Sequence, residues 1–267
     1  MTLLDWQLRR LATVHRDRVD YGQGRDDITV IAYHFWEEAG SDAAFKRIEC
    51  AVRETWLQCG MMKTVLVLNK ATEYVQAFAR CFPSVTLQLE RSLVPGCIFT
   101  MSADMNGKLH SRFSTPYCLV VQNDGFPLRP GLDAFIGKYD FIGAPYVGLQ
   151  WWKQAVARLT NYHVQNGGFS LRSHAICEAA ARYWNEKYHF LGDCTAVSED
   201  IFYTGTLIKK ERAYRRAFRL ATSRESLTFS WDAIVPIPRP ETLPFGFHGE
   251  KAFETSSWKI GVCKCAR

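Results

Sequence analysis

Apolar residues in the first part of the chain come in short unbroken runs separated by spaced stripes. That alternation is expected when strands covered on both faces are joined by helices. Ile28 to Phe35 (ITVIAYHF) predicts a buried strand, and Asp42 to Leu57 a helix with Ala44, Phe45, Ile48, Val52 and Trp56 on one face. Thr64 to Leu68 predicts a second strand, Thr72 to Cys81 a helix and Val85 to Leu89 a third strand. This β-α-β-α-β order is that of a nucleotide-binding half-sheet. A fourth run, Tyr117 to Val121 (YCLVV), leads straight into Gln122, Asn123, Asp124 and Gly125. Ligands of open parallel sheets collect beyond the carboxyl ends of strands, so these residues stand where a ligand belongs.

Downstream the pattern predicts a strand at Phe141 to Ala144, then an aromatic loop from Pro145 to Tyr162 that contains Trp151 and Trp152. Gln165 to Arg172 follows, then a helix from about Ser173 to Lys187 with Ser173 as its N-cap. Ser198-Glu199-Asp200 opens another helix that becomes basic through Lys209, Lys210, Arg212, Arg215, Arg216 and Arg219. Near the N-terminus, Leu3, Leu4, Leu8 and Leu11 fall near helical spacing beside Arg9, Arg10 and Arg16. A helix packed on the domain is the expectation, and a peripheral membrane contact is the other reading. No linker, repeat or low-complexity run divides the chain. It is therefore expected to be one domain over residues 1–267: a helical extension (1–25), a nucleotide-binding half (26–125), a second half for donor sugar and acceptor (126–255) and a tail (256–267).

Composition narrows the picture. With 47% apolar and 13% aromatic residues in 267, a large core is assured and disorder is excluded for most of the chain. A net charge of +6 suits an anionic ligand, such as a nucleotide diphosphate, an acidic glycan or nucleic acid, and suits a merely basic surface as well. Nine cysteines without a regular framework point to a reduced, cytoplasmic setting. Cys263 and Cys265 lack the partners a zinc site needs. Asp5, Arg9 and Arg10 interrupt the N-terminal apolar stretch, so no membrane span or leader is expected there.

Four groups of residues carry candidate chemistry, and each has a plain structural reading beside it. Gln122-Asn123-Asp124-Gly125 offers a carboxylate and two amides for a cation and a ribose, or is an ordinary turn. Asn166-Gly167-Gly168 lets backbone approach a ligand closely, or is a β-turn. Ser198-Glu199-Asp200 supplies carboxylates that could deprotonate a hydroxyl, or caps a helix. His248, in Pro244 to Gly249, is a metal ligand on a closing loop, or a structural or merely exposed histidine. The Trp151–Trp152 loop could stack on a sugar or act as a lid, and core packing explains it equally.

In this order, the strings VVQNDGF, YDFIGAPY, VQNGGFSLRS, SEDIF and PFGFHG resemble the core of GT-A glycosyltransferases, and more closely a little-characterised GT-A-like domain family. The resemblance covers Val120 to Gly249; upstream strands match by pattern only. It implies an α/β fold of the GT-A type, a Rossmann-like sandwich whose mostly parallel central sheet is flanked by helices. Gln122-Asn123-Asp124 would stand for the family's DxD motif, with Asp124 on the metal and Gln122 facing the ribose. Gly167 and Gly168, with Asn166, match the glycine loop beside the donor sugar. Asp200 would be the general base and Glu199 an acceptor-orienting group, and His248 would complete the metal site. Gln122 replaces a first Asp, which lowers the charge of the site. One carboxylate and one imidazole suit Mn²⁺ better than Mg²⁺, which is the second candidate.

The implied activity is inverting transfer of a sugar from a nucleotide diphosphate, by analogy UDP, to a glycan, lipid-linked or other hydroxyl acceptor, as in polysaccharide synthesis. Two rivals remain. A Rossmann oxidoreductase is disfavoured because the only GxG, Gly22-Gln23-Gly24, precedes the first strand. A non-catalytic carbohydrate- or nucleotide-binding module is the alternative, and nucleic acid is not an expected partner because the basic run reads as a solvated face.

Overall fold

The computed structural model describes residues 2–15, 20–22, 24–35, 41–146, 164–188, 198–232 and 240–255. Its strands are β1 (Arg25–His34), β2 (Met62–Leu68), β3 (Val85–Leu89), β4 (Tyr117–Val121), β5 (Gly125–Pro127), β6 (Phe141–Tyr146), β7 (Val164–Ser173), β8 (Ser230–Asp232) and β9 (Gly246–His248). The main sheet has the order β3-β2-β1-β4-β7-β6, and β5-β9-β8 form a small second sheet. β3, β2, β1 and β4 run parallel; β7 is antiparallel to β4 and to β6. The chain winds outward from β1 to β3 on one side and resumes at β4 on the other. The crevice beyond β1 and β4 is thus the point where strand order reverses.

Side-chain alternation on these strands makes two cores. Ile28, Val30 and Ala32 of β1, Leu66 and Leu68 of β2, and Leu119 and Val121 of β4 face one way, onto Phe45, Ile48, Val52 and Trp56 of helix α2. Ile31 and Tyr33, Val65 and Val67, and Cys118 and Val120 face the other way. Because both faces are covered, the strands read as unbroken apolar runs. The longer helices are α1 (Leu3–Thr13), α2 (Ser41–Cys59), α3 (Glu73–Cys81), α4 (Ile98–Gly107) and α5 (His174–Tyr183), and shorter ones include Arg212–Ala217, Ser223–Phe229 and Glu250–Thr255. The expected caps form: the Ser173 hydroxyl accepts from the Ile176 amide (3.2 Å) and Thr72 caps α3.

Several expectations give way. α4 had no counterpart in the apolar pattern, because its buried face carries Ser102 and Asp104, whose hydrogen bonds to Glu199 and Tyr33 replace hydrophobic contrast. Asn166-Gly167-Gly168 is neither turn nor loop; it lies in β7. His248 ends a strand, not a loop. The helix opened by Glu199 is not continuous: an α-turn (Glu199–Ile201) leads to a π-helical stretch (Phe202–Thr206) and a short α-helix (Leu207–Lys210), and the chain turns extended at Glu211. Arg219 is outside any helix and donates to the Gly137 carbonyl (2.6 Å). α1 buries Leu3, Trp6, Gln7 and Arg10, an i, i+3, i+4, i+7 stripe, whereas Leu4 and Leu8 are each 43% exposed. Among the described residues no helix is long and apolar enough to cross a membrane. Cys50, Cys59, Cys81, Cys97, Cys118 and Cys177 are free thiols. Trp151, Trp152, Cys194, Cys263 and Cys265 lie outside the described residues.

Candidate functional site

The pairing of β7 with β4 explains why residues 46 positions apart come together. Val120 pairs with Ser170 in antiparallel register, and continuing that register sets Gly168 opposite Gln122. The start of β7 therefore stands beside the end of β4, at the crevice. There β5 pairs with β9, Gly125 with His248, so the histidine returns to the same place.

Gly168 and Gly167 each sit where a side chain cannot. A Cβ on Gly168 would fall 2.3 Å from His248 Nε2 and 2.4 Å from Gln122 Oε1. One on Gly167 would fall 2.6 Å from Glu199 Oε1 and 2.7 Å from an Arg172 guanidinium nitrogen. Neither glycine is used for a positive φ; close approach is the reason no Cβ fits. The pair thus separates two acidic centres.

The first centre holds Gln122, Asp124 and His248. Gln122 Oε1 lies 3.1 Å from His248 Nε2, and Asp124 Oδ1 lies 3.9 Å from the same nitrogen. His248 Nδ1 faces Asp232 Oδ2 at 3.1 Å, and Asp232 also accepts from the Asn166 amide at 3.2 Å. Asn166 Oδ1 in turn accepts from the Gly168 N–H at 2.7 Å. Both ring nitrogens of His248 thus face oxygens. Burial opposes its charge, but the Asp232 hydrogen bond and the Asp124, Asp232 and Glu199 carboxylates together raise its pKa above the usual value. Asp124 is 26% exposed on its side chain, so an ion from solvent can reach it.

The second centre is Glu199 and Asp200. Glu199 is buried, and its Oε2 accepts from Ser102 Oγ of α4 at 2.7 Å. Asp200 is half-buried and turns back on its own helix start, accepting from Ser198 Oγ and, at 2.6 Å, from the Ile201 amide. Burial, then the neighbouring Glu199 charge, pushes its pKa up to about 6. Beneath both lies Arg172, which is wholly buried: Nε donates to Ser170 Oγ (3.0 Å) and one terminal nitrogen to the Gly167 carbonyl (3.1 Å). Its guanidinium stacks between Phe141 and Tyr203, 4.9 and 4.7 Å from the ring centroids.

Beside the first centre, beyond the ends of β1 and β4, opens a cavity of about 370 Å³. Tyr33, Phe35, Ile48, Ile98 and Met101 form its apolar wall, and Gln122, Asn123 and Asp124 its polar one. Its size and mixed lining suit a nucleoside-sized ligand.

The structure therefore brings together Gln122, Asn123, Asp124, Asn166, Gly167, Gly168, Glu199 and His248, with Asp200 one residue behind. Two details differ from the sequence reading. Gln122 turns its amide oxygen to His248, and the Asn166 side chain braces Asp232 and Gly168. Three contributors were not singled out from the sequence: Asp232, Arg172 and Ser102. Asp232 closes a three-residue strand, Ser-Trp-Asp, too short for a pattern to mark.

A divalent cation fits the first centre on two grounds. Its donors are a carboxylate oxygen, an amide oxygen and an imidazole nitrogen, a set suited to Mn²⁺, and the Asp124 carboxylate is open to solvent beside the cavity. Another cluster, His15, Cys50 and Glu54, is fully buried between α1 and α2. There the Arg10 guanidinium grips both Glu54 oxygens at 2.5 and 3.0 Å, which leaves the carboxylate as that cation's partner.

Residues 100–248, more than half of the chain, match the model of a family described as protein of unknown function, DUF5672. The chain belongs to the DUF5672 family. The DUF5672 segment contains both acidic centres and the glycine pair, while α1, α2 and β1 to β3 precede it. No curated protein matches the chain in sequence. Among solved structures it is similar to the mannosyltransferase PcManGT from Pyrobaculum calidifontis, in complex with GDP-Man and Mn²⁺. The identity is 15% and the TM-score 0.44, over 82% of this chain and 61% of that one. The DUF5672 chain thus spans about three fifths of that enzyme's length. An active-site mutant of LgtC is 13% identical with a TM-score of 0.46, over 89% of this chain and 95% of the other. Core-mannan synthase A from Aspergillus fumigatus, in a Mn/GDP form, is 9% identical with a TM-score of 0.47, over 78% and 75%.

Proposed function

We propose that this DUF5672 protein is a metal-dependent, inverting glycosyltransferase that moves a sugar from a nucleotide diphosphate donor, UDP being the first candidate, to an acceptor hydroxyl. The observation that carries this reading is the glycine pair. The side chains of Gln122 and His248 close onto Gly168 and that of Glu199 onto Gly167, which sets two acidic centres side by side along one strand, next to the cavity where a donor would sit.

In this reading the nucleoside fills the cavity beyond β1 and β4, its ring against Tyr33 and Phe35. Asp124 and His248 hold the cation, and Asp232 keeps the imidazole oriented through Nδ1. When bound, a divalent cation supplies electrostatic stabilisation to the charge on the departing diphosphate. Asp200 accepts the proton of the acceptor hydroxyl, whose oxygen attacks the anomeric carbon as the bond to the diphosphate breaks. Attack by the acceptor oxygen from the face opposite the leaving group, where Asp200 would take its proton, inverts that carbon. Glu199, fixed by Ser102, orients the acceptor.

A thermal-shift screen of UDP- and GDP-sugars, each with and without Mn²⁺, tests the reading. The right donor at a hundredfold excess over its Kd should raise Tm by ~5–10 °C, and only with metal present. Equal stabilisation without metal would remove the cation from the proposal. Binding without transfer or donor hydrolysis would favour a binding module.

A further inference from the structure

We infer that Gln7, on the N-terminal helix and outside the DUF5672 match, is a positioning residue for the proposed cation site, holding the two segments that carry Asp124 and His248 together. The inference rests on the reading of those two residues as ligands.

Gln7 is wholly buried. Its neighbours on α1, Leu3 and Trp6, belong to an apolar cluster with Phe126, Trp231, Phe247 and Phe253. Trp6 stacks on Phe126 with 5.8 Å between centroids. An amide in such surroundings is costly unless its polar atoms are bonded, and a Leu or Met would pack there without that cost. The bonds it makes are therefore informative.

Gln7 Nε2 donates to the Asn123 carbonyl at 2.5 Å, one residue before Asp124. Gln7 Oε1 accepts from Arg47 Nε of α2 at 3.1 Å. Another nitrogen of the same guanidinium donates to Glu250 Oε1 at 2.5 Å, two residues after His248. The Gly249 amide donates to the Asp124 carbonyl at 2.8 Å, which joins the two segments directly. These four hydrogen bonds and the intervening peptide links close a ring: Gln7, Asn123, Asp124, Gly249, Glu250, Arg47 and back to Gln7. Opening the Gln7 or Arg47 link leaves the Gly249 bond and the Gly125–His248 pairing as the remaining ties between the segments, and so loosens the spacing of Asp124 and His248. Asp124 and His248 are the pair whose spacing a chelating site depends on.

The test is an electron paramagnetic resonance titration of free Mn²⁺ on the full chain without nucleotide, beside Tm by circular dichroism. Gln7→Met keeps length and packing but removes the amide's hydrogen bonds to Asn123 and Arg47, and should weaken Mn²⁺ binding by ~5–30-fold. Arg47→Met opens the ring at its far side and should act in the same direction. Leu11→Ala is the control, since Leu11 packs against the same cluster but takes no part in the ring; it should lower Tm and leave the Mn²⁺ Kd unchanged. Wild-type Mn²⁺ affinity in Gln7→Met, or an equal loss in Leu11→Ala, overturns the inference while leaving the cation site standing. Wild-type protein that binds no Mn²⁺ overturns the cation site and the inference with it. Should Gln7→Met not fold, Arg47→Met decides by the same criterion.

Discussion

The two acidic centres on either side of Gly167 and Gly168 are built in different ways. The His248 side is a chain of directed hydrogen bonds, from the Gly168 amide through Asn166 and Asp232 to His248 and Gln122. Its order comes from four strand ends, β4, β7, β8 and β9, that the sheets force together. The Asp200 side has few bonds to the rest of the molecule; it is a helix start laid over the buried charge of Arg172. Burial and the neighbouring carboxylate raise the Asp200 pKa, while Arg172 lowers it. One side is organised by geometry and the other by charge, so each should fail in its own way.

Asp200→Asn should produce the largest loss, ~10²–10⁴-fold in kcat/KM, with metal-dependent donor binding retained in the thermal-shift assay. A rate near wild type would transfer the base role elsewhere and erase the contrast. Gly168→Ala should cost ~10²-fold, because its Cβ displaces His248 and Gln122 by about an ångström or more; here metal binding and rate should fall together. Asp232→Asn, nearly isosteric, should weaken Mn²⁺ by ~10–100-fold in the paramagnetic titration. It should leave the pH dependence of the saturated rate unmoved, and a shift in that profile would show the two centres to be coupled.

The smallest effect is pH itself. A base with a pKa of about 6 is ionised above that value, so the saturated rate should be level at neutral pH and fall tenfold per unit below about 6. The inflection should vanish in Asp200→Asn. The sign for stability is the reverse. Because the folded carboxyl holds its proton more tightly than the unfolded one, its contribution is greatest at acidic pH and is lost as pH rises through about 6.

The parallel core was legible because each of its strands is covered on both faces, and continuous apolarity is what such a strand requires; the expected bounds of β3 and β4 match the structure. The residues around the glycine pair were legible as types, but not as partners. Asn-Gly-Gly reads as a turn because glycines most often serve φ, whereas here they serve distance. α4 was hidden because its buried polar residues bond to groups far away in sequence, such as Tyr33 and Glu199. Asp232 and Gln7 were out of reach for the same reason. Their meaning lies in contacts that span 16 and 116 residues, which no local pattern encodes.

Arg172 carries a consequence for ionic strength. A guanidinium sealed from solvent between two rings keeps its proton at every working pH, and dissolved ions cannot approach it. Its pull on the Glu199–Asp200 pair is therefore a constant of the molecule. Added salt should screen the exposed cations along residues 209–216 and weaken any long-range capture of anionic ligands, yet leave the acidic pair almost untouched. Encounter and chemistry would then respond to the medium separately.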